Sequence, residues 1–333
     1  MENQIVNPQE NDDPPRLNLR AIAQSIRQGT RSAESVAQTA LDRAQDSQGV
    51  FVEVNERIVE EAAAIDRLLA KGGAVGALSG ALISIKDLFD VKGQLTRAGS
   101  ILVEQVNGIA EQDCDVIASL RAAGLLFIGR TTMSEFAFSG MGLNPHYGQC
   151  HSIWGRDTRR LPGGSSSGSA VSVAEGIVPA TMGSDTAGSC RIPAAFNGIV
   201  GVKPSFGRLS LKGVFPLSPT SDAPGPLGID LDSCYLLDRA MVSPQTVAHS
   251  LPSLGGGEQQ SIVGMRLWVP ESIVLDGLDE TVSRGFARSL DWLQEAGAIL
   301  LRKPFDVIGR CVNMFQTRAV VLYEAYQAHV QWL

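Results

Sequence analysis

The chain has 333 residues, 44% of them hydrophobic, and a formal net charge of −7. That length supports one large domain or two modest ones with a buried core, while the acidic balance and the unclustered basic residues argue against nucleic acid as a partner. No apolar run approaches a membrane-spanning helix, the polar, Pro-containing N-terminus lacks the apolar core of a signal peptide, and five scattered single cysteines suggest neither a zinc site nor a disulfide framework, so a soluble cytoplasmic protein is expected.

Residues 1–15 read as a disordered tail, and 16–333 as one domain. In "SAESVAQTALDRAQD", Ser32 stands as an N-cap before apolar residues at helical spacing. "VFVEV" (50–54) is strand-like, and "NERIVEEAAAIDRLLAKGG" is a second helix stopped by glycine. "GALISIKDLFDV" contains a short strand-like run, Ala81 to Ile85, followed at once by Lys86. "DVIASLRAAGLLFIGRT" reads as helix, glycine stop and buried strand. "GSAVSVAEGIVPATMGSD" repeats that order, with the strand from about 177, and "GIVGVKP" (198–204) is a further strand. Residues 243–261 form a Pro/Gly/Ser-rich surface loop, taken as an excursion within one domain. "GMRLWVP" and "DETVSRGFARSLDWLQEAGAILL" add strand, helix, a stop at Gly297 and strand. Helices alternating with short β-rich runs predict an α/β protein around a mainly parallel sheet.

Two runs of small hydroxyl and glycine residues dominate the middle of the chain: "PGGSSSGSA" (162–170) and "GSDTAGSCRIP" (183–193). A flexible linker would not sit between apolar helix and strand patterns. A phosphate loop needs Gly-Lys-Ser/Thr, and between Val91 and Lys203 the one lysine is Lys92. Gly164 to Gly168 match the G-x-S-x-G elbow, with Ser166 at its centre, but the charged "WGRDTRRLPG" precedes them where a buried strand should stand. A serine nucleophile needs a base within reach. Of the histidines, His146 lies in a turn, His249 in the loop and His329 on a terminal helix, and nothing singles out a Ser-His-Asp triad. Lys86 remains: at the end of an apolar strand it is either a surface residue or a partly buried amine able to lose its proton near neutrality.

The segment "PGGSSSGSAVSVAEG…ATMGSDTAGSCRIPAAFNGIVGVKPSFGRLS" resembles the signature region of the amidase signature family, and "GALISIKDLFDVKG" resembles that family's lysine motif. "TTMSEFAFSGMGLNPHYG" and "GVFPLSPTSDAPGPLGIDLDS" resemble its linking segments. The similarity runs from about residue 17 to at least 302, and Ser189 follows Ser165 by the 24 residues the family requires. The resemblance implies a central mixed, mainly parallel β-sheet covered by helices on both faces, and a Ser-cisSer-Lys triad with no metal and no cofactor. By position, Ser189 is the nucleophile, Ser165 the bridging serine after a cis peptide bond, and Lys86 the base. Backbone N–H groups of Thr186, Ala187, Gly188 and Ser189 would supply the oxyanion hole. Met141, Tyr147, Gly164, Asp185 and Arg191 are candidate pocket residues; for Asp185 and Arg191 an ion pair bracing the loop is the competing reading. Ala187 departs from the family's common Gly-Gly.

The implied activity is hydrolysis of a small carboxylic amide to acid and ammonia through an acyl-serine. The alternatives are the glutaminase subunit of a tRNA-dependent amidotransferase, against which Ile192 stands where those members often carry glutamine, and a truncated, catalytically silent member. The expected partner is a small-molecule amide. Family members usually continue past residue 333, and the apolar face of Val321, Leu322, Ala325, Tyr326 and Val330 is expected to drive homodimerisation or to leave the chain weakly stable.

Overall fold

The computed structural model describes residues 18–73, 75–242, 261–271, 273–317 and 319–330. The tail at 1–15, nearly all of the 243–261 loop with His249, and residues 331–333 lie outside them. Two compact units divide the chain, Met1–Pro252 and Ser253–Leu333.

The first unit runs α1 (Leu19–Arg27), α2 (Ala33–Asp46), β1 (Phe51–Val54), α3 (Ile58–Ala70), β2 (Leu82–Lys86), α4 (Ile101–Val106), α5 (Asp115–Ala122), β3 (Leu126–Thr131), α6 (Ser167–Ala174), β4 (Ala180–Ser184), α7 (Arg191–Asn197), β5 (Val200–Gly201), β6 (Pro224–Gly228) and α8 (Leu231–Val242). Ser32 caps α2 as expected: its side chain accepts the Ser35 N–H at 3.0 Å, and Asp66 takes the Ala33 and Glu34 N–H groups. The described strands of this unit form one sheet in the order β1-β3-β2-β4-β6-β5. Its centre, β3-β2-β4, is parallel; β1 and β6 join it antiparallel, and β5 pairs antiparallel with β6 at the edge.

Side chains alternate across β2. Leu82, Ser84 and Lys86 face α6: Leu82 shares a core cluster with Val173, and Ser84 Oγ lies 2.8 Å from Ser172 Oγ. Ile83 and Ile85 point to the opposite face and are also fully buried, so both faces are covered. The interface between α6 and the sheet therefore carries paired hydroxyls among its apolar contacts. Ser84 Oγ also donates to Thr181 Oγ1 at 2.6 Å, and Thr131 Oγ1 lies 2.7 Å from Ser169 Oγ. Every one of these hydroxyls is buried and paired, which is the condition for a polar core to be stable.

The strand expected from about 177 begins at Ala180, and the one expected over 198–204 shrinks to Val200–Gly201. Past Gly201 the Val202 N–H still donates to Pro226 O on β6 at 3.0 Å, whereas Lys203 turns toward the loop that follows β4. The second unit contains β7 (Arg266–Pro270), α9 (Glu280–Glu295), β8 (Ile299–Lys303), α10 (Asp306–Thr317) and α11 (Ala319–His329). The strand–helix–strand order is the one expected from the sequence, and β7 and β8 pair in parallel as a separate two-stranded sheet. Leu290, Val269 and Ala298 are buried, whereas Trp268, Phe286 and Trp292, and Leu322, Tyr326 and Val330 on and just after α11, are exposed. Among the described residues no helix is long and apolar enough to cross a membrane.

Candidate active site

Lys86 ends β2, Ser184 ends the adjacent parallel strand β4, Ser165 precedes α6, and Ser189 lies in the turn before α7. The carboxyl ends of parallel strands are where α/β sheets place their chemistry. Lys86 Nζ donates to Ser165 Oγ at 2.6 Å and to Ser184 Oγ at 2.8 Å. The Gly164–Ser165 peptide bond is cis, as the resemblance implies. Ser166 N–H donates to the Ser189 carbonyl at 3.2 Å, which ties the first small-residue run to the second. Lys86 and Ser165 are fully buried, and Ser189 is 8% exposed.

Burial pushes Lys86 down to about 8, and the more distant Cys190, Asp185 and Asp222 pull in the opposite direction without cancelling it. Among the described residues no carboxylate lies within ion-pairing distance of its amine. A lysine held by two hydroxyls and no anion is poised to lose its proton.

Asp185 organises the turn. Its carboxylate accepts the Gly188 N–H at 2.7 Å and the Cys190 N–H at 3.2 Å, and the Arg191 side chain through Nε at 3.0 Å and Nη2 at 3.1 Å. Burial pushes the Asp185 carboxyl up, but Arg191 and these N–H groups outweigh it and hold it below the usual carboxylate range. Of the two readings of the Asp185–Arg191 pair, the geometry matches the bracing one: the ion pair exists and holds the loop. Lys203 Nζ adds a second brace, donating to the carbonyls of Asp185, Thr186 (2.9 Å) and Ser221 (2.8 Å). Asp222 anchors the Thr186 hydroxyl at 2.5 Å and accepts the Leu217 and Ser218 N–H groups.

The structure corrects one member of the expected oxyanion hole. The Gly188 N–H is occupied by Asp185, so it is not free for a ligand. The N–H groups of Thr186, Ala187 and Ser189 take no acceptor among the described residues. Gly188 is needed for its backbone instead. Its φ is +132°, and a Cβ there would meet Ile192 Cδ1 at 2.7 Å.

Of the candidate pocket residues, Gly164 donates its N–H to Gly140 O at 2.8 Å, and a Cβ on it would meet Gly142 N at 2.6 Å. This close approach seats the Gly140–Gly142 segment on the Ser165 loop and leaves Met141 exposed beside it. Tyr147 is otherwise engaged: its hydroxyl donates to Glu104 Oε2 at 2.7 Å on α4. His146 sits against Glu135 at 3.4 Å. The elbow alternative fails on geometry, because Ser166 is fully buried and follows a loop, with its hydroxyl paired to the Ser184 backbone.

Cys190, directly after Ser189, is fully buried with its thiol toward Gly225 O at 3.6 Å, and burial pushes its pKa up. Ser184, Lys203 and Asp222 carry no role in the sequence reading. Ser184 was the most legible, being the last residue of β4 next to the strand that ends in Lys86; the contacts of Lys203 and Asp222 depend on loop geometry.

The family model described as Amidase matches residues 35–331. The chain belongs to the amidase family. Among relatives of this amidase-family chain, the A subunit of glutamyl-tRNA(Gln) amidotransferase from Chromohalobacter salexigens is 35% identical over 289 residues, 84% of this chain and 58% of that protein. Its namesake from Anaeromyxobacter dehalogenans is 36% identical over 295 residues, 86% and 59% of the two chains. This chain therefore spans about three-fifths of the length of these curated relatives. A crystallised amidase superposes with a TM-score of 0.82 at 33% identity, covering 95% of this chain and 69% of that one. The peptide amidase of Stenotrophomonas maltophilia gives 0.79 at 26% identity, covering 95% and 67%.

Proposed function

We propose that this chain hydrolyses an amide C–N bond through an acyl-Ser189 intermediate. The observation that carries this reading is the buried Lys86 amine, 2.6 Å from Ser165 Oγ and unpaired with any described carboxylate. Neutral Lys86 takes the Ser165 hydroxyl proton, Ser165 takes that of Ser189, and Ser189 Oγ bonds to the amide carbon. The carbonyl oxygen becomes an oxyanion facing the N–H groups of Thr186, Ala187 and Ser189. Returning the proton through the same serines to the nitrogen expels ammonia, and water then cleaves the acyl-serine.

For the amide itself, the relatives favour glutamine over a free small carboxylic amide, since proteins 35–36% identical are amidotransferase A subunits. On that reading the chain acts as the glutaminase part of an assembly with other protein subunits. Ile192 after Arg191 and the fold shared with a crystallised amidase support the small-amide reading. Ammonia release from glutamine set against acetamide, propionamide and benzamide decides between them, with Ser189→Ala as the control. Turnover by Ser189→Ala at the wild-type rate would remove the nucleophile assignment; a glutamine rate below that of the simple amides would remove the glutaminase reading.

A further inference from the structure

Lys86 Nζ touches two hydroxyls, and the proposed relay uses one. A neutral amine has two hydrogens and one lone pair, so the relay works when the lone pair, not a hydrogen, points at Ser165. Ser184 Oγ, 2.8 Å from Nζ, is the second contact. Ser184 ends β4, which is pinned to β2 on one side (Ile85 opposite Met182) and to β6 on the other (Ser184 opposite Pro224). Its backbone is further clamped to Ser166, the residue after Ser165: Ser166 Oγ donates to Ser184 O at 3.3 Å, and Ser184 N donates to Ser166 Oγ at 3.4 Å. The two oxygens around Nζ are therefore fixed relative to one another by the chain itself.

We propose that Ser184 is a positioning residue for Lys86, accepting one of its hydrogens in both protonation states and so reserving the amine lone pair for Ser165. This rests on the reading of Lys86 as the base. Ser184 neither gains nor loses a proton in the step: the Ser165 O–H bond breaks, the new N–H bond forms on Lys86, and Ser184 goes on accepting a hydrogen from the resulting ammonium. Because it solvates the charged form, its removal leaves the ammonium with one acceptor fewer and lowers the basicity of Lys86. The other charged or titratable groups around the amine are Asp185 after β4, Asp222 before β6 and Cys190 before α7, while α6 contributes hydroxyls alone. Asp87, next in the chain, is bound to Arg130 on β3.

The test follows phosphonylation of Ser189 by a fluorophosphonate, in which the serine oxygen bonds to phosphorus and fluoride leaves, read by mass spectrometry across pH 6–10 in the wild type, Ser184→Ala and Ser184→Thr, each checked by thermal melting. The wild type is expected to show an acid limb near pH 8. Ser184→Ala should move that limb down by about half to one unit and slow the plateau on the order of 10–100-fold. Threonine, which keeps the hydroxyl, should restore both. Where the alanine variant does not fold, Ser184→Val, isosteric with the threonine variant but without the hydroxyl, replaces it and should behave as described for alanine. A wild-type limb and plateau in a variant lacking the hydroxyl, or a folded threonine variant that rescues neither, overturns the proposal. No labelling of wild-type Ser189 at any pH would instead overturn the nucleophile and base reading, and this inference with it.

Discussion

Lys86 and Arg130 are both buried cations, 0% and 1% exposed, on neighbouring strands of one sheet. Lys86 lies opposite Thr131, one residue from Arg130. Their surroundings differ in kind. Arg130 donates to the Asp87 carboxylate at 2.6 Å, to Phe89 O at 2.9 Å and to Gln94 at 3.2 Å. Lys86 meets two serine hydroxyls and no anion. An arginine cannot shed its charge, so burying it requires a counter-charge. A lysine escapes the same penalty by becoming neutral, and a neutral buried amine is a base. Burial is common to the two sites, and the partner decides whether the result is a strut or a reagent.

Exchanging the cations across this divide should have the largest effect. Lys86→Arg puts a permanent charge among hydroxyls and should cut ammonia release by about 10³-fold or more. A residual rate above a tenth of wild type would make Lys86 structural. Next in size is Asp87→Asn, which strands the Arg130 guanidinium and should destabilise the fold by about 3–5 kcal/mol in urea unfolding. A change under about 1 kcal/mol would mean that the backbone and Gln94 contacts suffice. Lys86→Met is the smallest and has the opposite sign. The folded pKa of about 8 lies below the ordinary lysine value of 10.5. Between those values the unfolded chain holds more protons than the folded one, so wild-type stability rises with pH across that window. Removing the amine should therefore stabilise the inactive protein by about 1–3 kcal/mol at pH 7, with the gain fading as pH climbs from 8 to 10.5. Equal gains at pH 7 and pH 10.5 would show that the amine is not the source.

The same contrast shows what the sequence could reveal. Lys86, Ser165 and Ser189 stand out in the sequence through the family resemblance of their motifs, and α2, β3 and α9 through their regular apolar period. β6 was not readable, since "PGPLG" carries turn residues and becomes a strand through β4 and β5 on either side. α4 and α7 are too short, at six and seven residues, for an apolar period to repeat. The occupied Gly188 N–H could not be foreseen, because it depends on where the Asp185 side chain turns three residues earlier. Lys203 and Asp222 reach the site through loops whose course no periodicity encodes.

The position of Cys190 bears on how inhibition experiments should be read. A thiol stands directly beside the proposed serine nucleophile, yet it is sealed from solvent and burial keeps it protonated. Cys114, Cys150 and Cys234 are buried as well, and Cys311 is the exposed cysteine. Alkylation by iodoacetamide should accordingly mark Cys311, in the second unit, and spare the turn that holds Ser189. Loss of activity on mild alkylation would therefore report on Cys311 and its unit and would not be evidence for cysteine-hydrolase chemistry.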